Sequence, residues 1–140
     1  MKNELSVFVC GDPKGQPRPR AFARNGKAGV YDPGTAEGWK GLIANAVKPH
    51  LPESPITGPL SVELYFFIRR PKSHFKKDKI KHDAPIWCEK KPDADNFAKA
   101  VLDCLTQIGF WKDDSQVVTL FISKAFADSR VGCLIEVESF

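Results

Sequence analysis

A segment with a clear helical period places the strongest constraint on this chain. From Asp95 to Ile108, apolar residues recur at helical spacing and polar residues collect on the opposite side. Gly109 follows directly, as is typical just after the end of a helix. The apolar side consists of Phe97, Val101, Cys104, Leu105 and Ile108, with Ala98 and Leu102 at its margin. Such a helix needs a partner layer, so the pattern predicts a helix packed on other structure.

The rest of the chain supplies that layer. Strands are predicted at Leu5 to Cys10, Leu60 to Arg69, Gln116 to Ala127 and Val131 to Ser139. A second helix is predicted from a cap at Thr35 to about Val47. The link Asp128-Ser129-Arg130 is short, which predicts an antiparallel hairpin of the last two strands. The order β-α-β-α-β-β predicts an α+β fold in which a mixed sheet of about four strands carries two main helices.

Length and composition limit the organisation further. The chain has 140 residues, of which 42% are hydrophobic, so residues 1–140 are predicted to form a single domain with one core. No apolar run is long enough to span a bilayer, and the first residues lack the apolar stretch of a secretion signal. A cytoplasmic location is therefore expected.

The four cysteines do not form a CxxC pair, so neither a disulfide scaffold nor a zinc knuckle is predicted. Cys10, Cys104 and Cys133 lie in apolar segments and are expected to be buried. Cys88 lies in a polar setting and is expected to be partly exposed.

Positive charge is concentrated in two stretches. From Arg69 to Lys91 there are nine Lys or Arg against three Asp or Glu, and Lys14 to Lys27 contains five cations and no acid. Two cationic stretches favour a polyanionic partner, although a solvated basic face explains them as well. The candidate DNA-binding residues are Lys14, Arg18, Arg20, Arg24, Lys72, Lys76, Lys77, Lys90 and Lys91.

Two acidic clusters flank the first helix described above. Asp93 and Asp95 lie at its start, and Lys99 and Asp103 follow Asp95 at four-residue intervals along one ridge. This pattern alone also fits a helix cap with ordinary surface ion pairs. Asp113-Asp114 precede the next strand, where adjacent acids indicate either a bound cation or a turn.

The two clusters meet only if the chain after the helix folds back along it. In that case three carboxylates would suit Mg²⁺, which stabilises charge on a phosphate and activates water. Lys99 could then hold the scissile phosphate or orient the attacking water.

These residues carry a family resemblance. Lys-Pro-Asp-Ala-Asp-Asn at 91–96, Lys99, Asp103 and Trp-Lys-Asp-Asp-Ser-Gln-Val at 111–117 resemble the signature of the RusA-type Holliday-junction resolvases. The run Gly-Gln-Pro-Arg-Pro-Arg at 15–20 is similar to the basic N-terminal loop of many phage-type members. The long basic stretch from Arg70 to Lys91 departs from the compact members.

The resemblance implies a homodimer that binds a four-way DNA junction and makes Mg²⁺-dependent, symmetric cuts in two opposing strands; Mn²⁺ is a possible substitute. It also implies that Asp93, Asp95 and Asp114 are the metal ligands and that Lys99 is the catalytic lysine. Asp103 and Asp113 occupy family positions without an assigned role.

Other classes of function fit the sequence less well. A restriction-type nuclease needs Glu-x-Lys after Pro92-Asp93, whereas here Glu89-Lys90-Lys91 precedes it. A zinc site of His74, His82, Asp83 and Cys88 has no recognised spacing. A non-catalytic DNA-binding protein and a nuclease for branched DNA in general both remain open.

Overall fold

A computed structural model describes residues 1–16, 20–24, 27–31 and 36–140, the two short ranges by their backbone only. The strands are β1 Lys2–Cys10, β2 Arg20–Arg24, β3 Lys27–Tyr31, β4 Leu60–Ile68, β5 Phe75–Lys76, β6 Lys79–Ile80, β7 Val117–Phe126 and β8 Gly132–Ser139. The helices are α1 Glu37–Val47 and α2 Ala94–Gln107, and short 3-10 turns span Lys48–His50, Lys72–His74 and Asp114–Gln116. The predicted helices are confirmed, although Thr35 lies outside the described residues.

A mixed sheet of four strands, in the order β1-β8-β4-β7, forms the centre of the fold. β8 is antiparallel to both β1 and β4, and β4 is parallel to β7. The predicted α+β class and mixed sheet are therefore confirmed.

The predicted hairpin between the last two strands is wrong, because β4 lies between β7 and β8. The backbone N–H of Ala127 donates to the carbonyl of Ile68 at 2.7 Å, so the chain leaving β7 passes the end of β4. With β4 between them, β7 and β8 are about 10 Å apart, and the five-residue link that joins them can span up to about 16 Å. A short link therefore does not require its two strands to be neighbours.

Both helices pack against one face of the sheet. Phe97 of α2 stacks on Phe66 of β4, with ring centroids 4.9 Å apart. Each large side chain buried here contributes roughly 1.5–3 kcal/mol. The core residues of the central strands and of α1 include Val62, Leu64, Ile135, Val137, Trp39, Ile43 and Val47. The alternate residues of the strands point to the other face, which neither helix covers.

Two hairpins lie outside the main sheet. In β2–β3, the two strands are antiparallel, from Arg20 opposite Tyr31 to Arg24 opposite Lys27. In β5–β6 the turn residues Lys77 and Asp78 have φ of 50° and 64°, the left-handed values that tight hairpin turns require. This second hairpin was not predicted, and it lies within the basic stretch.

The exposure of two cysteines differs from the prediction. Cys88 is buried, because its backbone N–H donates to the carbonyl of Lys124 and holds it along β7. Cys10 is exposed, because Val9 takes the core-facing position at the end of β1. Cys104 and Cys133 are buried as predicted, and burial raises the pKa of both thiols. No helix in the described ranges is long and apolar enough to cross a membrane.

Candidate active site

Asp93 and Asp95 lie at the exposed start of α2. Asp93 has an extended backbone and occupies the N-cap position, yet its side chain does not cap the helix. One oxygen of Asp95, Oδ1, accepts a hydrogen bond from the backbone N–H of Asn96 at 3.0 Å. Neither carboxylate forms an ion pair with any residue that the structure describes. The capping explanation thus does not hold for Asp93, and carboxylate oxygens remain open to solvent at this point.

Lys99 lies one turn further along α2. Its Nζ is 3.2 Å from Oδ1 of Asp103, the four-residue pair expected on a helical ridge. The Lys99 side chain is 60% exposed, so this ion pair contributes at most about 1 kcal/mol. Lys99 can therefore leave Asp103 for a stronger anion, such as a phosphate, at small cost.

Lys124 of β7 holds the segment before α2 in place. Its ammonium donates to the carbonyls of Lys90 at 2.5 Å and Pro92 at 2.6 Å, and it lies 5.7 Å from the ring centre of Phe97. Lys124 thereby fixes the loop that presents Asp93. Sequence reasoning missed this residue, although a single cation within the run from Leu120 to Phe126 was an available signal.

The N-terminal basic stretch contacts the same loop. The backbone N–H of Gln16 donates to the carbonyl of Asn96 at 3.0 Å. A Cβ added to Gly15 would lie 3.0 Å from Cβ of Pro92 and 3.4 Å from Cβ of Asn96. Glycine is therefore needed for close approach, and this contact carries the exposed Lys14 towards the start of α2.

If the chain cuts DNA as the resemblance implies, Gly15→Ala should slow the cutting roughly tenfold, because the added methyl must push the basic stretch a few tenths of an ångström off Pro92. The measurement is a single-turnover cleavage rate with saturating protein. Gly38→Ala is the matched control, since nothing lies within 4 Å of a Cβ at Gly38 in α1. Equal rates for the Gly15 variant and the native chain would show that this contact does not position the site.

Asp113 and Asp114 differ in their surroundings. Asp113 accepts a hydrogen bond from the backbone N–H of Ser115, which lowers the pKa of the Asp113 carboxyl. Gln116 completes this capping box and also donates to the carbonyl of Ile56. Asp113 is thus part of a rigid turn. Asp114 is half-buried and forms no ion pair within the described part of the chain.

Within one chain, the turn of Asp114 and the start of α2 lie far apart. Lys124 near the end of β7 contacts the start of α2, whereas Trp111, before β7, donates to Thr106 near the end of α2. The strand therefore runs antiparallel to the helix, whose fourteen residues span about 20 Å. Among the described residues, no three His, Cys, Asp or Glu side chains are grouped closely enough to hold a metal ion. The zinc site considered at His74, His82, Asp83 and Cys88 is accordingly not formed.

Arg70 anchors the basic stretch from Arg69 to Lys91 to the sheet. Its buried guanidinium donates to the carbonyls of Ala127 and Pro85 at 3.1 and 2.7 Å and pairs with Asp128 at 3.0 Å. His74 lies against this group; desolvation by burial, followed by the positive charge of Arg70, lowers the pKa of His74. Both ends of the stretch are therefore held, by Arg70 and by Lys124.

The predicted DNA-binding residues fall into two sets. Lys72, Lys76, Lys77, Lys90 and Lys91 are exposed on the anchored basic stretch, and Lys14 is exposed beside it. Arg20 and Arg24 lie on β2, where only the backbone is described, and Arg18 lies outside the described residues.

Comparisons with known proteins place this chain in a family. The model of the family described as "Endodeoxyribonuclease RusA" matches residues 11–138. An uncharacterized protein of Bacillus subtilis (strain 168), YqaN, is 39% identical over 135 residues, which cover 94% of each chain. The matched range contains α2, both acidic clusters and the whole basic stretch, and the chain belongs to the RusA endodeoxyribonuclease family.

Proposed function

We propose that this chain is a Mg²⁺-dependent endonuclease that resolves four-way DNA junctions through paired, symmetric nicks made by a homodimer. The observation that carries the proposal is the two solvent-facing carboxylates of Asp93 and Asp95 at the start of α2, neither of which is in an ion pair with a described residue, in a chain of an endodeoxyribonuclease family. DNA recombination and repair are the processes in which such junctions must be cut.

The donor set suits a hard divalent cation. Asp93, Asp95 and Asp114 offer only carboxylate oxygens, which Mg²⁺ prefers, and no His or Cys is grouped with them among the described residues. When bound, Mg²⁺ supplies positive charge next to the scissile phosphate and makes a bound water more acidic. Lys99, released from Asp103, would hold a phosphate oxygen and stabilise the charge that builds up there.

A second copy of the chain supplies the third carboxylate in this proposal. β7 is an edge strand, and only its end is covered, where Cys88 and Ile86 bond to Lys124 and Phe126. Those bonds use the outward-facing groups of residues 124 and 126, so residues 120 and 122, which lie after the register irregularity between Val117 and Thr119, also direct their backbone groups outwards.

The open part of β7 is apolar as well as unpaired. Val118 is 59% exposed, Leu120 42% and Phe121 51%. Exposed edge strands of this kind readily pair with other chains, and the register irregularity of β7 is confined to its first residues, Val117 to Thr119. In two copies of β7 paired antiparallel about Leu120, the strands run in opposite directions, so the turn before β7 of one chain would lie next to the covered end of the partner's β7 at residues 124–126. The turn that holds Asp114 would then lie beside the partner's loop at the start of α2.

This arrangement accounts for two cuts. A two-fold dimer contains two equivalent sites, each with Asp93, Asp95 and Lys99 from one chain and Asp114 from the other. The exposed lysines of the basic stretches would follow the phosphates of the junction arms on both sides.

The test is cleavage of a synthetic four-way junction beside linear, nicked and flap DNA, across titrations of Mg²⁺ and Mn²⁺. We expect paired nicks in opposing strands of the junction and little cutting of linear duplex. Equal cutting of all four substrates would reduce the function to that of a general DNA nuclease. Binding without cutting at any metal concentration would favour the non-catalytic DNA-binding protein.

A further inference from the structure

The face of the sheet that lacks helices contains an apolar cavity of about 390 Å³. Its floor is formed by side chains from all four main strands, and Ile86, which is 65% exposed, forms one wall. A cavity of this volume lies within the range of small-ligand sites, which is about 300–1,000 Å³. The apolar lining includes Phe8, Phe67, Ala125 and Leu134.

Gly132 makes this cavity possible. It lies opposite Phe67 in the β4–β8 pairing, and its φ is +155°. A Cβ on Gly132 would lie 2.8 Å from the Phe8 ring and closer still to the carbonyl oxygen of Val9. In its absence the rings of Phe8 and Phe67 approach to 6.1 Å between centroids, at an angle of 33°. Two flat aromatic rings therefore line one concave surface.

A cation lies over one of these rings. The guanidinium carbon of Arg130 is 3.9 Å from the centre of the Phe8 ring. Unlike Arg69 and Arg70, which pair with Asp12 and Asp128, Arg130 forms no ion pair with the residues described. The other charged residue of the lining, Asp128, is paired with Arg70, so the positive charge of Arg130 is the uncompensated one. An occupant that complements the cavity has a flat apolar body and an anionic group.

The cavity adjoins the candidate active site across one short segment. Ile86 lines the cavity, and the same segment bonds to β7 at Lys124 and Phe126 before it continues to Asp93. Trp87 on this segment is 66% exposed. A DNA strand with its phosphate at Asp93 could pass over this edge and reach the cavity within a few nucleotides.

We propose that this cavity binds one unpaired base of the DNA substrate, stacked on Phe67 next to Phe8, with its phosphate on the Arg130 guanidinium that lies over the Phe8 ring. This inference rests on the proposed function, because it takes branched DNA as the substrate. Bases that are unpaired are the easiest to remove from the stack, and aromatic side chains hold such bases by stacking without regard to sequence.

The experiment uses the full chain and four-way junctions with 5-iodouracil at single positions within three nucleotides of the branch point. Ultraviolet crosslinking followed by peptide mapping identifies the residues that contact the base. We expect crosslinks at Phe8 or Phe67, with yields about tenfold lower in Arg130→Gln and Ile86→Ser. Phe140→Ser and Lys48→Gln change exposed residues elsewhere and should leave the yields unchanged.

Cutting is measured in the same samples, so that the two proposals are separated. Normal cutting with crosslinks only outside the cavity, or with yields unaffected by the Arg130 and Ile86 changes, would overturn the base-binding site alone. Absence of cutting by the native chain would count against the proposed function instead. A second arm compares NMR shifts of Phe8 and Phe67 with thymidine monophosphate and with a short peptide that ends in leucine. A response to the peptide alone would also overturn the nucleotide assignment.

Discussion

Mixed Asp95→Asn and Asp114→Asn subunits should cut a four-way junction, although neither variant cuts it alone. Each single variant is expected to lose cutting by at least about 100-fold while it still binds the junction, because one carboxylate is lost from each site. In a mixed dimer with shared sites, both changes fall in one site and the other site is native. About half of randomly assorted dimers are mixed, so about a quarter of the native cutting should return, as single rather than paired nicks.

This result separates a shared site from one built within a single chain. If Asp93, Asp95 and Asp114 of the same chain formed the site, every subunit in the mixture would be damaged and no cutting would return. The matched control mixes Asp93→Asn with Asp95→Asn. Both of these residues lie at the start of the same α2, so neither arrangement allows recovery in that mixture. The readout is nicking of the junction after the two purified variants have been unfolded and refolded together.

The geometry that motivates this experiment was only partly predictable from sequence. The helical period fixed α2 to within one residue at each end, and with it the positions of Asp93, Asp95 and Lys99 on one exposed side. Local spacing carries that information because side chains three and four apart share one side of a helix. The two acidic clusters were likewise known to lie at opposite ends of α2.

Long-range contacts were not predictable in the same way. Nothing in the run from Leu120 to Phe126 indicates that β4, rather than β8, pairs with β7. The bonds of Lys124 to the carbonyls of Lys90 and Pro92 depend on that pairing. The burial of Cys88, whose backbone N–H donates to the carbonyl of Lys124, depends on it as well. The sequence around Gly15 does not indicate which residue it contacts, and its close approach to Pro92 is visible only in the folded chain.

A lysine in the open edge of β7 should separate the proposed dimer and stop cutting. Leu120→Lys would place a charge at the proposed two-fold axis, where the same change in each copy brings two like charges together. We expect a monomer by light scattering and cutting lowered by at least about 100-fold, because each chain then lacks the other's Asp114. Leu120 is 42% exposed in the single chain, so the free energy of unfolding of that chain should change by less than about 1 kcal/mol.

Leu42→Lys is the matched control, because Leu42 on α1 is 44% exposed and lies away from β7. It should remain a dimer and cut normally. Val118→Lys, at a position that is 59% exposed, repeats the test if circular dichroism shows that Leu120→Lys is misfolded.

A folded Leu120→Lys variant that stays dimeric would show that the dimer interface does not include β7. A folded monomer that cuts at the native rate would mean instead that one chain brings Asp114 to Asp93 by itself, which requires the turn at 113–116 to cross about 20 Å. The capping box of Asp113 and Gln116 and the bonds of Gln116 to Ile56 and Gly58 oppose that movement, so the loss of cutting should follow the loss of the dimer.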